Sequence, residues 1–104
     1  MRTKVALITG GASGIGRATA LLFARAGAEV TIADLNETAG KAVVQEIAGQ
    51  GEKAVFEKAD VTRAADCKRV VDRVLGEFGV IHILFNNAGI MRRASLTELS
   101  EEDW

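Results

Sequence analysis

The segment Thr9-Gly10-Gly11-Ala12-Ser13-Gly14-Ile15-Gly16 combines the two properties needed to hold a phosphate. Its glycines let the backbone turn tightly and approach a ligand. The N–H groups and dipole of a helix starting near Gly14 attract negative charge. Such an anion cradle suits a pyrophosphate, and the same residues also suit a purely structural turn between strand and helix. A triphosphate loop is excluded: no Gly-Lys-Ser/Thr follows, so the phosphate lysine and the magnesium-binding hydroxyl are both lacking.

Asp34 follows Gly16 by 18 residues, near the ~20 expected of an acid that accepts hydrogen bonds from a ribose 2'-hydroxyl. A carboxylate there repels a 2'-phosphate, and Leu35 supplies no cation to offset it. The alternative is a helix N-terminal charge that shares capping with Asn36. Asp60 and Val61 close a third strand at the same level and suit the flanks of an adenine, Asp60 by hydrogen bond and Val61 by apolar contact. A plain strand end before a helix explains them equally well. Asn86-Asn87-Ala88-Gly89 offers two amides and two small residues at the end of a fourth strand. They can brace a loop while a flat ligand approaches the backbone, or form an ordinary turn. His82, between Ile81 and Ile83, reads as a satisfied strand residue, and Cys67 as packing within an apolar helical stripe. Arg92 and Arg93, after Met91, read as solvated side chains that edge a substrate site at most.

These residues need a scaffold that brings several strand ends together, and the hydrophobic pattern supplies one. Val5 to Ile8 is a continuous apolar run, as in a buried parallel strand. Ile15, Ala18, Thr19, Leu22 and Ala26 repeat at helical spacing, with Gly27 as a left-handed stop. Glu29 to Ala33 predicts the second strand. Asn36 then caps a helix with Glu37 in its first turn, and Ala39, Val43 and Ile47 mark its buried face. Gly49 and Gly51 end it, Ala54 to Lys58 predicts a third strand, and Thr62 is the expected cap of the next helix. Cys67, Val70, Val71, Val74 and Phe78 form an amphipathic stripe stopped by Gly79. Val80 to Phe85 is the fourth strand. Strand and helix alternate throughout with crossovers long enough for parallel neighbours, so the fold class is α/β with a doubly wound parallel sheet in three layers.

Composition narrows the function. The chain has 104 residues, 13 basic against 14 acidic, a formal charge of -1, and 48% hydrophobic residues. One core is expected. The interleaved charges form no basic block that follows a phosphate backbone, which argues against nucleic acid and membrane surfaces. The longest apolar run, Ala20 to Ala24, is far short of the ~20 residues that span a bilayer. The start of the chain lacks a signal-peptide core. A single cysteine suits a reducing, cytoplasmic setting and leaves no cysteine metal site. The acidic Ser100-Glu101-Glu102-Asp103 before Trp104 resembles the start of a helix that does not continue, so residues 1–104 are expected to be the amino-terminal portion of one domain, truncated at Trp104.

Taken together, these residues resemble the short-chain dehydrogenase/reductase family. Thr9, Gly10, Gly14 and Gly16 match its Thr-Gly-x-x-x-Gly-x-Gly motif, Asn86-Asn87-Ala88-Gly89 matches its Asn-Asn-Ala-Gly motif, and Asp60-Val61 matches its adenine-side pair. The resemblance implies a Rossmann sheet with strand order 3-2-1-4 that binds NAD or NADP. It assigns Gly10, Ser13, Ile15 and Gly16 to the pyrophosphate and neighbouring ribose. Asn87, Ala88 and Gly89 fall to the nicotinamide-side ribose, and Asn86 to bracing the sheet. NADP users of the family tend to carry a basic residue where Ser13 or Leu35 stands, so NAD is expected over NADP. The implied activity is hydride transfer between nicotinamide and an alcohol or carbonyl, by a complete enzyme expected to be a homo-oligomer. His82 stands where the family often has Asp. The family's catalytic Asn, Ser and Tyr-x-x-x-Lys follow the segment present here, and the 104 residues contain no Tyr. No catalytic residue and no metal ligand is therefore assigned. A Rossmann methyltransferase and a non-catalytic nucleotide-binding module are the alternatives.

Overall fold

A computed structural model of the chain describes residues 4–86. Seven elements alternate: β1 (Val5–Thr9), α1 (Gly14–Arg25), β2 (Glu29–Asp34), α2 (Glu37–Gly49), β3 (Ala54–Lys58), α3 (Ala64–Phe78) and β4 (Ile83–Asn86). The strands form one sheet in the order β3-β2-β1-β4, parallel at every pairing. This is the doubly wound, three-layer arrangement expected from the sequence.

Strand side chains alternate between faces, so each strand feeds two cores. Ile8, Val30 and Ile32 pack with Ala20 and Ala24 of α1 and Val43 and Ile47 of α2. Val5, Leu7 and Ala33 pack on the opposite side with Cys67, Val70, Val71 and Val74 of α3. All five residues of β1 are buried, as befits the central strand of a sheet covered on both faces. Among the described residues no helix is long and apolar enough to cross a membrane.

Several local expectations hold in detail. Asn36 caps α2 by accepting from the Ala39 N–H at 3.0 Å. Gly27 and Gly79 adopt φ of 96° and 79° after α1 and α3, the left-handed geometry that ends a helix without a Cβ penalty.

Other expectations are corrected. The outward face of α1 carries the stripe Ile15, Ala18, Leu22 and Ala26, with Leu22 62% exposed. Its sheet face is Gly16, Ala20 and Ala24, because small residues let the helix axis come closer to β1 and β2 than Leu or Ile would. On α2, Gly40 joins Val43 and Ile47 on the buried face, while Ala39 is half-buried. A Cβ on Gly40 would lie 2.1 Å from the Phe56 ring, so glycine is what this contact admits. Thr62 does not cap α3. The cap position is Arg63, without a side-chain bond, and the Thr62 hydroxyl turns back to Asp60. β4 begins at Ile83 because Val80 and Ile81 precede the ladder, and Ile81 is fully buried in the α3-side core.

Candidate functional site

The parallel register sets the carboxyl ends of all four strands along one edge. Thr9 lies opposite Ala33 on one side and Asn86 on the other, and Asp34 lies opposite Lys58. The order reverses at β1, so the turn leaving β1 opens at the switch point where open α/β sheets bind ligands.

That turn is tied tightly to β2. The Gly10 N–H donates to the Ala33 carbonyl at 2.8 Å, and Gly10 has φ 68°. A Cβ on Gly11 would stand 2.7 Å from Ile32 Cγ2, so the backbone there lies directly on a buried strand side chain. Gly14 has φ 58° and nothing within 4 Å of a Cβ position, so it faces open space. Ser13, at the N-cap of α1, is extended, and its side chain makes no capping bond. The first turn of a helix has no internal acceptor for its N–H groups. At α1 these N–H groups belong to Gly14, Ile15 and Gly16, beside a serine hydroxyl not used by the helix. This donor set fits a pyrophosphate.

Asp34 stands beside the turn. Its Oδ2 accepts from the Ala12 N–H at 3.1 Å, and its Oδ1 accepts from the Asn36 N–H at 2.9 Å. The functional and capping readings of Asp34 therefore coexist. Two backbone donors fix the carboxylate, and each oxygen keeps further acceptor capacity for a ribose diol. Ile15 at the start of α1 is 69% exposed and Leu35 after Asp34 is 58% exposed, leaving apolar surface at this edge.

The Ala59 N–H donates to the Asp34 carbonyl at 3.0 Å, joining the end of β3 to that of β2. Asp60 accepts from the Thr62 N–H at 3.0 Å and from the Thr62 hydroxyl. These bonds hold its carboxyl below the ordinary carboxylate range. The Asp60 N–H in turn donates to Asp66 Oδ2 at 2.8 Å. Val61 is 9% exposed and packs into the α3-side core, leaving little surface for an adenine. Cys67 is buried, and its thiol donates to the Val61 carbonyl at 3.3 Å. Burial, followed by the charges of Asp66 and Asp60, pushes that thiol up from its ordinary value, the opposite of what a nucleophile needs.

On the β4 side, buried Thr9 donates from Oγ1 to Asn86 Oδ1 at 2.9 Å. Asn86 thus braces the sheet, as the resemblance implies. Asn87, Ala88, Gly89, Met91, Arg92 and Arg93 lie outside the described residues. Three links escape local sequence reading: Thr9 to Asn86, Ala12 to Asp34, and Gly11 on Ile32. Their only sequence signals are a threonine at the end of an apolar strand, a turn N–H that needs a partner, and a glycine doublet. Among the described residues no group of His, Cys, Asp and Glu is placed to hold a metal ion.

A family model described as short chain dehydrogenase matches residues 4–104. The cyclohexanol dehydrogenase of Acinetobacter sp. (strain SE19) is 47% identical over 102 residues, covering 97% of this chain and 41% of that protein. The 3-oxoacyl-[acyl-carrier-protein] reductase of Thermotoga maritima is 46% identical over 101 residues, covering 97% of this chain and 41% of its own length. Among solved structures, the apo form of glucose dehydrogenase of Caenorhabditis elegans superposes with a TM-score of 0.79 at 43% identity, covering 83% of this chain and 38% of that one. The chain thus spans about two fifths of the length of the curated relatives it matches.

Proposed function

The chain belongs to the short-chain dehydrogenase family, and from that membership we propose that its residues form the dinucleotide-binding part of an NAD-dependent oxidoreductase. The carrying observation is the Asp34 carboxylate, fixed at the rim of the glycine turn by the Ala12 and Asn36 N–H groups. When bound, the nicotinamide supplies or takes the hydride exchanged with an alcohol or carbonyl. The first N–H groups of α1, with Gly10, Ser13, Gly14, Ile15 and Gly16, receive the pyrophosphate. Asp34 accepts from the adenine-side ribose diol, with Leu35 beside it adding no positive charge. Asp60 flanks the adenine by hydrogen bond, and the small exposed part of Val61 adds an apolar contact. Asn87, Ala88 and Gly89 approach the nicotinamide-side ribose.

Hydride delivery to a carbonyl leaves an alkoxide that must be protonated as it forms, and a positioned acid contributes ~10² to 10⁴ in rate. The 104 residues hold no Tyr for that role, so the isolated chain is expected to show no turnover and weak cofactor binding. Substrate choice is not carried by this part. The cyclohexanol dehydrogenase and the oxoacyl carrier-protein reductase match it at 47% and 46% identity, although their named substrates differ. A cytoplasmic setting and a homo-oligomeric complete enzyme complete the proposal.

The test is a titration of NADH and NADPH, followed by fluorescence, on the product of the full coding region. NADH is expected to bind tighter by ~1.5 to 3 kcal/mol, the worth of a hydrogen bond to a charged group. Asp34→Arg should reverse that order, and tighter binding of NADPH by the unaltered protein rejects the NAD reading. S-adenosylmethionine calorimetry checks the methyltransferase alternative. Reading the coding region past Trp104 for an in-frame Ser and Tyr-x-x-x-Lys decides between catalyst and binding module.

A further inference from the structure

β4 is short, and side chains fasten it to β1 at both ends. At the carboxyl end, Thr9 Oγ1 donates to Asn86 Oδ1 at 2.9 Å. At the amino end, one pair of residues exchanges two bonds. The His82 N–H donates to the Val5 carbonyl at 2.9 Å, and the Val5 N–H donates back to Nδ1 of the His82 ring at 3.0 Å. In a parallel ladder the N–H and carbonyl of Val5 face the same neighbour. The ring nitrogen stands in for the strand carbonyl that β4, beginning at Ile83, does not offer.

We propose that His82 is a positioning residue, an acid-labile clasp that sets the register of β4 on β1 and thereby places Asn86 at the ligand edge. Register carries weight here because Leu84 packs on the α3-side core and Phe85 on the opposite core. A slip by one residue would exchange those faces and part Asn86 from Thr9. Nδ1 accepts a hydrogen bond only while it holds a lone pair. A protonated imidazole has donors at both nitrogens, which would set a donor against the Val5 N–H. Protonation of the ring therefore opens the clasp. Among the described residues, the charged groups at this end of the sheet are Lys4 beside Val5, Glu29 opposite Val5 on β2, Glu52 and Lys53 just before β3, and Glu77 in the last turn of α3. Among the described residues none of them bonds the ring, whose side-chain and backbone partners are both on Val5. The clasp is a property of the sheet, and only its bearing on Asn86 as neighbour of a ligand rests on the dinucleotide reading.

The experiment is amide exchange at Val5, referred to Leu7 in the same strand, at about pH 7.5 and about pH 5.5, two points within the range where imidazoles in general change charge. It compares the unaltered chain with His82→Asn and His82→Ala. The Asn Oδ1 occupies the same place along the side chain as Nδ1 and does not titrate. At the higher pH, protection of Val5 should exceed that in His82→Ala roughly fivefold to tenfold, the reach of one net hydrogen bond. In acid the unaltered chain should lose that margin and His82→Asn should keep it. Equal protection with and without the ring, or an acid loss shared by His82→Asn, overturns the proposal. Should His82→Ala fail to fold, an unaltered Val5-to-Leu7 ratio across the two pH values overturns it equally. NADH titration at both pH values, on the product of the full coding region, separates the two readings. A working clasp without NADH binding rejects the dinucleotide reading alone, and NADH binding with no clasp rejects the clasp alone.

Discussion

The two faces of the sheet are closed by different means. On one face α1 and α2 come down on small residues, Gly16, Ala20, Ala24 and Gly40, and are joined by a bidentate Arg17–Glu46 pair. On the other, α3 is the one helix among the described residues, with a branched stripe of Val70, Val71 and Val74 around Cys67, while Leu75, Phe78, Val80 and Leu84 remain only partly buried. The first face gains closeness and loses tolerance, because an added atom meets a neighbour at once. The second has room to spare and apolar surface left over. The ligand edge belongs to the first, since the glycine turn lies on Ile32 from that side.

The largest expected consequence is in association state. With the α3 face only partly covered, the purified 104-residue chain should self-associate, because exposed apolar patches and open strand edges pair between molecules. Sedimentation velocity checks this, and a monodisperse monomer with a sharp melt would erase the contrast between the faces. Next comes Gly11→Ala. The new Cβ meets a fully buried Ile32 that has nowhere to move, so destabilisation of ~1 to 3 kcal/mol is expected in urea melts, with weaker NADH binding. Gly40→Ala should cost a similar amount, because its Cβ would lie 2.1 Å from the Phe56 ring, which must shift against its core to admit it.

Gly76→Ala is the counterpart on α3, where nothing lies within 4 Å of the Cβ position. It should stabilise by ~0.5 to 1 kcal/mol through helix propensity alone, and a loss of stability would show that α3 is packed more tightly than described. The smallest effect concerns acid. The Arg17 guanidinium holds Glu46 below the usual carboxylate range. Stability from a depressed carboxyl is present above its unfolded pKa and fades as pH falls through the folded one. Acid should therefore loosen α1 from α2 slightly, and Glu46→Gln should remove that part of the pH dependence from thermal melts.

The legible parts of this molecule are those whose causes lie within a few residues. The α3 stripe from Cys67 to Phe78, the Asn36 cap and the stops at Gly27 and Gly79 are written in local spacing, and the structure follows them. The face of α1 is not legible in that way. Ile15 and Leu22 carry the hydrophobic signal, but the sheet selects the smaller residues Gly16, Ala20 and Ala24 for closeness. At the site, the glycine turn and Asp34 are recognisable from spacing. Their coupling through the Ala12 N–H depends on how far the turn folds back, which spacing does not report. Thr9 with Asn86, and Val5 with His82, join residues 77 apart, a separation no window of sequence spans.

The central position of β1 also bears on how the chain is made. One flank of β1 is satisfied as soon as β2 emerges, but its other partner ends at Asn86. At about 5 to 20 residues per second, a ribosome needs several seconds to deliver the roughly fifty residues between them. During that interval the most buried strand of the molecule carries an open flank on the nascent polypeptide. Loop closure over such a span is slow relative to a hairpin or a helix. Synthesis therefore passes through a stage in which the open β1 flanks of two chains on neighbouring ribosomes can pair with each other.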